Sequence, residues 1–123
     1  MIYAQFEDIP VWQQAREFVV KIYLITKKDF NNDFELMNQI RRAALSILLN
    51  IAEGFERKSN KDFARFINQA KASAGECRAA LYIAFDLGYI VKNKFEELIT
   101  NVISISKQLS KFENYLVNSS YKK

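Results

Sequence analysis

The chain has no histidine, one cysteine, one proline and three glycines in 123 residues. Without histidine, and with Cys77 alone, it cannot assemble the usual zinc sites, a Ser-His-Asp triad, a Cys-His pair or the Glu-x-x-His motifs of di-iron bundles. "IAEGFERKS" has one glycine and no Gly-Lys-Ser/Thr ending, so it is not a phosphate-cradling loop. Carboxylates and hydroxyls are present, but no signature spacing pairs them. The chain therefore reads as a non-enzyme with no catalytic residue, metal site or cofactor. A lone cysteine cannot make an internal disulfide, and "MIYAQFEDIP" carries neither the basic region nor the apolar run of a secretory signal. No apolar stretch approaches the roughly 20 residues of a membrane span. These features predict a cytoplasmic protein without a membrane partner.

The scarcity of proline and glycine removes the punctuation that an all-β or α/β chain needs, and half of the residues are hydrophobic. One domain over residues 1–123 is expected, all-α, with helices at about 9–27, 36–55, 60–87 and 92–118. Asp8 is placed to cap the first helix, with Pro10 in its first turn. Val11, Trp12, Ala15, Phe18, Val19, Ile22 and Tyr23 then share a face. Asn31, Asn32 and Asp33 suit a turn, and Ser59 with Asp62 makes a weak capping box for the third helix. Gly88 suits a left-handed position after that helix. The fourth helix aligns Phe95, Leu98, Ile99, Val102, Ile105, Leu109, Phe112 and Leu116, and residues 119–123 form a frayed tail. Short connections between four helices imply an up-down-up-down antiparallel four-helix bundle.

The second helix has an unusual polar pattern. Gln39, Arg42, Ser46, Asn50, Glu53 and Arg57 recur at steps of three and four. At about 100° per residue they fill a band roughly 80° wide beside the core arc of Ile40, Ala43, Ala44, Ile47, Ile51 and Phe55. Leu45 and Leu49 lie beyond the band, so both of its flanks are apolar. The third helix repeats this with Asp62, Arg65, Gln69, Ser73 and Glu76. In an antiparallel hairpin turning near Arg57 and Lys58, the stripes fall level in constant register: Glu53 with Asp62, Asn50 with Arg65, Ser46 with Gln69, Arg42 with Ser73, Gln39 with Glu76. One hand of the bundle brings both stripes to the outer groove between the helices and the other separates them; the pattern is compatible with either.

Two readings of the stripes follow. Each is a solvated face, or the two form a polar network that ties Arg42 to Ser73 and Glu76 and sets register in an oligomer. Ser46, Asn50 and Ser73 are mediocre helix formers with no cap to make, which favours placement for hydrogen bonds. Cover over Leu45 and Leu49 by another subunit would bury part of the band and require its charges to pair.

The string "QIRRAALSILLNIAEGFERKSNKDFARFINQAKASAGE", with "FEDIPVWQQAREFVVKIY" before it and "AFDLGYI" after it, resembles the four-helix-bundle proteins encoded by intervening sequences of bacterial 23S ribosomal RNA genes. The resemblance runs from Phe6 to Ile90. It rests on Trp12 and Ala15; on Gln39, Arg42, Ser46, Asn50, Ile51, Ala52, Glu53 and Gly54; and on Ser73 and Glu76. Two departures are local. Asn31 follows Phe30 where that family usually has Phe-Pro, and Ala72 precedes Ser73 where Gly-Ser is common. The resemblance implies a ring-shaped homopentamer with no established enzymatic activity. A related branch, the accessory proteins of diversity-generating retroelements, resembles it in forming basic pentamers that bind nucleic acid and a reverse transcriptase. The partners implied are thus further copies of this chain, RNA or DNA, and a reverse transcriptase or other protein.

Charge adds an independent clue. Between Gln39 and Arg78 stand eight cations (Arg41, Arg42, Arg57, Lys58, Lys61, Arg65, Lys71 and Arg78) against four anions, and the rest of the chain balances at ten and ten. The whole net charge of +4 belongs to this central hairpin. Concentrated positive charge attracts phosphates and releases their counterions. Arg57, Lys58 and Lys61 join cations to a helix start and are the first candidates for phosphate contact, with Arg41, Arg65, Lys71 and Arg78 beside them in sequence. A nucleic-acid-binding oligomer is one expectation; a protein-interaction scaffold that touches no nucleic acid is the other.

Overall fold

A computed structural model describes residues 3–118, apart from the side chain of Asp29. After a short helical turn at Phe6–Asp8 come four helices: α1 (Pro10–Asp29), α2 (Phe34–Phe55), α3 (Asn60–Asp86) and α4 (Lys92–Asn118). Among the described residues there is no strand. The expected tail at 119–123 lies outside the described residues.

The helix ends follow local chemistry, with one correction. Ile9, not Asp8, stands at the cap position of α1 and makes no side-chain cap bond; Pro10 opens the helix. Asp8 is instead drawn into the preceding turn, where its amide donates to the Gln5 carbonyl at 3.1 Å. Pro10, opening the helix, has no amide to leave unpaired, so this helix start has one orphan donor fewer. After α1 the chain reverses through Asn31 (φ 45°) and Asn32 (φ 63°), a left-handed pair that asparagine tolerates better than most residues. Asp33 then caps α2 by accepting from the Leu36 amide at 3.1 Å. Its second carboxylate oxygen accepts from the Tyr89 hydroxyl at 3.1 Å, which joins the α1–α2 loop to the α3–α4 loop. Ser59 accepts from the Asp62 amide at 3.1 Å as the cap of α3, and Gly88 (φ 79°) ends the turn after it.

Helical periodicity delivers one apolar face from each helix to a common core. Phe18 and Ile22 of α1, Ile40, Ile47 and Ile51 of α2, Phe63, Ile67 and Leu81 of α3, and Ile105 and Leu109 of α4 are all fully buried. Neighbouring helices in the chain pack together, and α1 closes the bundle against α4. The α2–α3 contact is the most extensive and the α1–α4 contact the sparsest of the four. That last seam is largely polar: Lys21 pairs with Glu97 at 3.1 Å and donates to Asn101 at 3.2 Å, while Gln108 donates to Gln14 at 2.7 Å. The hydrogen bond and charge of Lys21 hold the Glu97 carboxyl below its ordinary value. No helix among the described residues is long and apolar enough to cross a membrane.

A close approach lies where α2 turns into α3. A Cβ on Gly54 would sit 2.7 Å from Cβ of Phe66 and 3.0 Å from Cδ1 of Phe63. Glycine is needed here for the space it leaves.

Candidate functional site

The two polar stripes meet. In this hand of the bundle they converge on the outer groove between α2 and α3, where Ser46 Oγ and Ser73 Oγ share a hydrogen bond of 2.9 Å across the helices. Asn50 Nδ2 donates to the Ser46 carbonyl at 2.9 Å and to Ser46 Oγ at 3.0 Å. Ser73 is only 7% exposed, and Ser46 and Asn50 are half-buried, so this knot satisfies polar groups that the helix contact removes from water. The mediocre helix formers at these positions are there for hydrogen bonding.

Above the knot, the expected network of Arg42 with Ser73 and Glu76 does not form. Gln39, Arg42 and Glu76 are exposed and line a cleft of about 520 Å³ whose floor and far end are Leu36, Ala43, Ala79, Ala80 and Ile83. The register differs from the expected one by about a turn: Ser73 meets Ser46 and not Arg42, and Ser46 does not meet Gln69, while the Arg42 and Glu76 side chains are exposed. The stripe is thus buried at its centre and solvated toward this end. Ile83, at 51% exposed, carries the apolar surface outward from the cleft. Leu45 is half-buried against the core, whereas Leu49 is 55% exposed.

Below the knot, toward the turn, the stripe ends in a different arrangement. Arg57 Nη2 donates to Glu53 Oε2 at 2.9 Å, and Arg65 Nη2 approaches Asp62 Oδ1 at 3.5 Å. Both guanidinium groups also lie over one ring, that of Phe66, at 4.6 Å for Arg57 and 4.7 Å for Arg65. Phe66 itself is 6% exposed. The apolar spacing of α3 marks Phe66 as core, and its role as the shared platform of two arginines is invisible at that level; the signal was its neighbour Arg65 combined with a glycine level with it on α2.

The remaining cations are dispersed. Lys58 lies in the turn and Lys61 in the first turn of α3, both exposed. Arg41 is committed to the fold: its Nε donates to the Thr26 hydroxyl at 2.8 Å and its guanidinium lies 4.7 Å from the centre of the Tyr23 ring. Thr26, buried, in turn donates to the Ile22 carbonyl at 2.8 Å. Lys71 and Arg78 are exposed, but at about 100° per residue they project on the side of α3 away from Ser73 and the groove. The hairpin tip therefore gathers Arg57, Lys58, Lys61 and Arg65; Arg41, Lys71 and Arg78 stand apart from it.

The lone thiol takes no part in this surface. Cys77 is buried with its thiol 3.9 Å from the Ile40 carbonyl, and burial pushes it up to about 12, so no thiolate is available near neutral pH.

Comparison with known proteins agrees with this architecture. The family model of the 23S rRNA-intervening sequence protein matches residues 7–111. A solved structure of a protein of unknown function from the S23 ribosomal protein family of Bacteroides thetaiotaomicron superposes with a TM-score of 0.80 at 28% identity, covering 84% of this chain and 97% of that one. No curated protein matches the chain.

Proposed function

The chain belongs to the 23S rRNA-intervening sequence protein family, and on that premise we propose a non-enzymatic, cytoplasmic, oligomeric four-helix bundle that binds RNA or DNA through the tip of its α2–α3 hairpin. The observation that carries this reading is the placement of charge. The central hairpin holds the entire net charge of +4, and four of its cations, Arg57, Lys58, Lys61 and Arg65, stand at one end of the molecule together with three of its carboxylates, Glu53, Glu56 and Asp62. A phosphate backbone is the natural partner for flexible and planar cations held together without a shaped pocket for a base.

The oligomer in this proposal is a ring-shaped homopentamer with α2 at or near its interface. In support, Leu49 of α2 and Ile83 beside the cleft are each more than half exposed, large apolar side chains that a neighbouring subunit would cover. A ring would place the same basic tip at every subunit and multiply its field. The cleft ending in Ala79, Ala80 and Ile83 favours a second reading, a scaffold that engages a protein and no nucleic acid.

Binding to RNA and DNA measured against salt separates the two. A variant with glutamine at Arg57, Lys58 and Lys61 is expected to weaken binding uniformly across sequences. Each lost phosphate contact flattens the plot of log affinity against log salt by about 0.9 for duplex DNA or about 0.7 for a single strand. A parent protein that binds neither polymer at low salt rejects the nucleic-acid reading and favours the scaffold. Light scattering that finds a stable monomer at micromolar concentration rejects the ring.

A further inference from the structure

We propose that Phe66 is the positioning residue of the basic tip, its ring fixing Arg57 and Arg65 as a two-pronged receptor for the phosphodiester backbone. The inference rests on the nucleic-acid reading and specifies how recognition occurs there. Three features combine. First, one arginine stands in the α2–α3 turn and the other within α3, yet both lie over the same ring, at 4.6 and 4.7 Å from its centre. An aromatic face attracts a guanidinium and holds its plane, so each cation loses freedom before any ligand arrives.

Second, each arginine is tethered by only one nitrogen to a carboxylate, Arg57 to Glu53 and Arg65 to Asp62. A guanidinium carries five N–H donors in a rigid fork, so further donors remain for phosphate oxygens at the exposed edge. The side chains are 42% and 55% exposed, enough to meet a polymer. Third, the missing side chain of Gly54 is what admits Phe66 to this place, since a Cβ there would press on Phe66 Cβ at 2.7 Å. Glycine, ring and arginines thus act as a single built unit.

The same geometry selects the kind of contact. Phe55, Phe63 and Phe66 are all buried, so their rings offer bases no face to stack on. The tip reads phosphates and not bases, and duplexes are expected to bind as well as single strands, without sequence preference.

The test compares the full-length parent with Arg57→Lys/Arg65→Lys and with Phe66→Leu, using matched duplex and single-stranded RNA and DNA at several salt concentrations. Lysine keeps the charge and loses the planar fork. The double variant is therefore expected to lose about tenfold in affinity with an unchanged salt slope. Phe66→Leu, checked for unchanged melting and oligomeric state, is expected to lose a similar factor, and Phe66→Tyr to recover it. If the lysine pair binds as the parent does, the receptor is refuted while the charge-based reading stands; if the parent does not bind at all, both fall. A preference for single strands of one sequence also overturns the phosphate-only contact.

Discussion

Replacing Gly54 with alanine, and Gly75 with alanine in parallel, sets one chemical change against two environments. Both glycines lie within helices, α2 and α3 respectively. In an exposed helix, glycine to alanine stabilises by about 1 kcal/mol through backbone entropy. At Gly75 a Cβ meets nothing within 4 Å, so that gain should appear undiminished. At Gly54 the new methyl meets Phe66 Cβ at 2.7 Å and the Phe63 carbonyl oxygen at 3.3 Å. Neither atom is the far end of a flexible chain; relief requires α2 and α3 to move apart, against a fully buried Phe63. Overpacking of this sort costs about 1 to 3 kcal/mol. The clash therefore cancels or outweighs the helix gain, with a net loss of about 0 to 2 kcal/mol after that gain is subtracted. For a chain of this size that lowers Tm by as much as roughly 10 °C, while Gly75→Ala raises it by roughly 3 to 5 °C. Thermal melts at equal protein concentration read both, since assembly shifts apparent stability. A Gly54→Ala variant that gains as much in Tm as Gly75→Ala refutes the claim that the close approach depends on glycine.

Two further outcomes follow from buried groups. Thr26→Val keeps the shape of α1 but removes the acceptor for Arg41 Nε, and is expected to cost about 1 to 3 kcal/mol; an unchanged denaturation midpoint would show that Arg41 does not depend on it. The folded chain holds the Cys77 proton more tightly than the unfolded chain, so that contribution is fully present below the ordinary thiol value of 9.0 and lost as pH rises toward about 12. Alkylation of Cys77 by iodoacetamide at pH 8 should accordingly be slow in the folded protein and fast in denaturant, and equal rates would contradict its burial.

The bundle was legible because periodicity of three and four persists through four long segments, and because Asn31, Ser59 and Gly88 stand where turns and caps require them. What escaped was relational. The cap expected of Asp8 failed because Ile9 takes the cap position and Asp8 is held in the preceding turn. The stripes could be paired, but the pattern put Ser46 with Gln69 and Arg42 with Ser73, whereas Ser46 meets Ser73 about a turn away; nor does a one-dimensional pattern contain the hand that brings the stripes together. Arg42 looked equivalent to Ser46 by spacing, yet one is exposed and the other is bonded across the helices to Ser73. Phe66 and Arg41 fail to announce themselves for a shared reason: each acquires its role from a residue on another helix or beyond a turn, Arg57 for Phe66 and Thr26 for Arg41.

The Asp33 carboxylate, which caps α2 with one oxygen and receives the Tyr89 hydroxyl with the other, also works as a length gauge. Phe30, Asn31 and Asn32 are all the chain allowed between the end of α1 and that carboxylate, and Phe30 is itself held against the Tyr89 ring at 5.3 Å. One inserted residue adds about 3.3 to 3.6 Å of chain, enough to carry the carboxylate out of reach of either donor. Asparagine at the position could accept only one of the two hydrogen bonds, and glutamate would overreach both. Lengthening of the α1–α2 connection is thus barred by a residue in the loop at the other side of the same end, so insertions that a surface turn would ordinarily absorb are directed away from this end of the bundle.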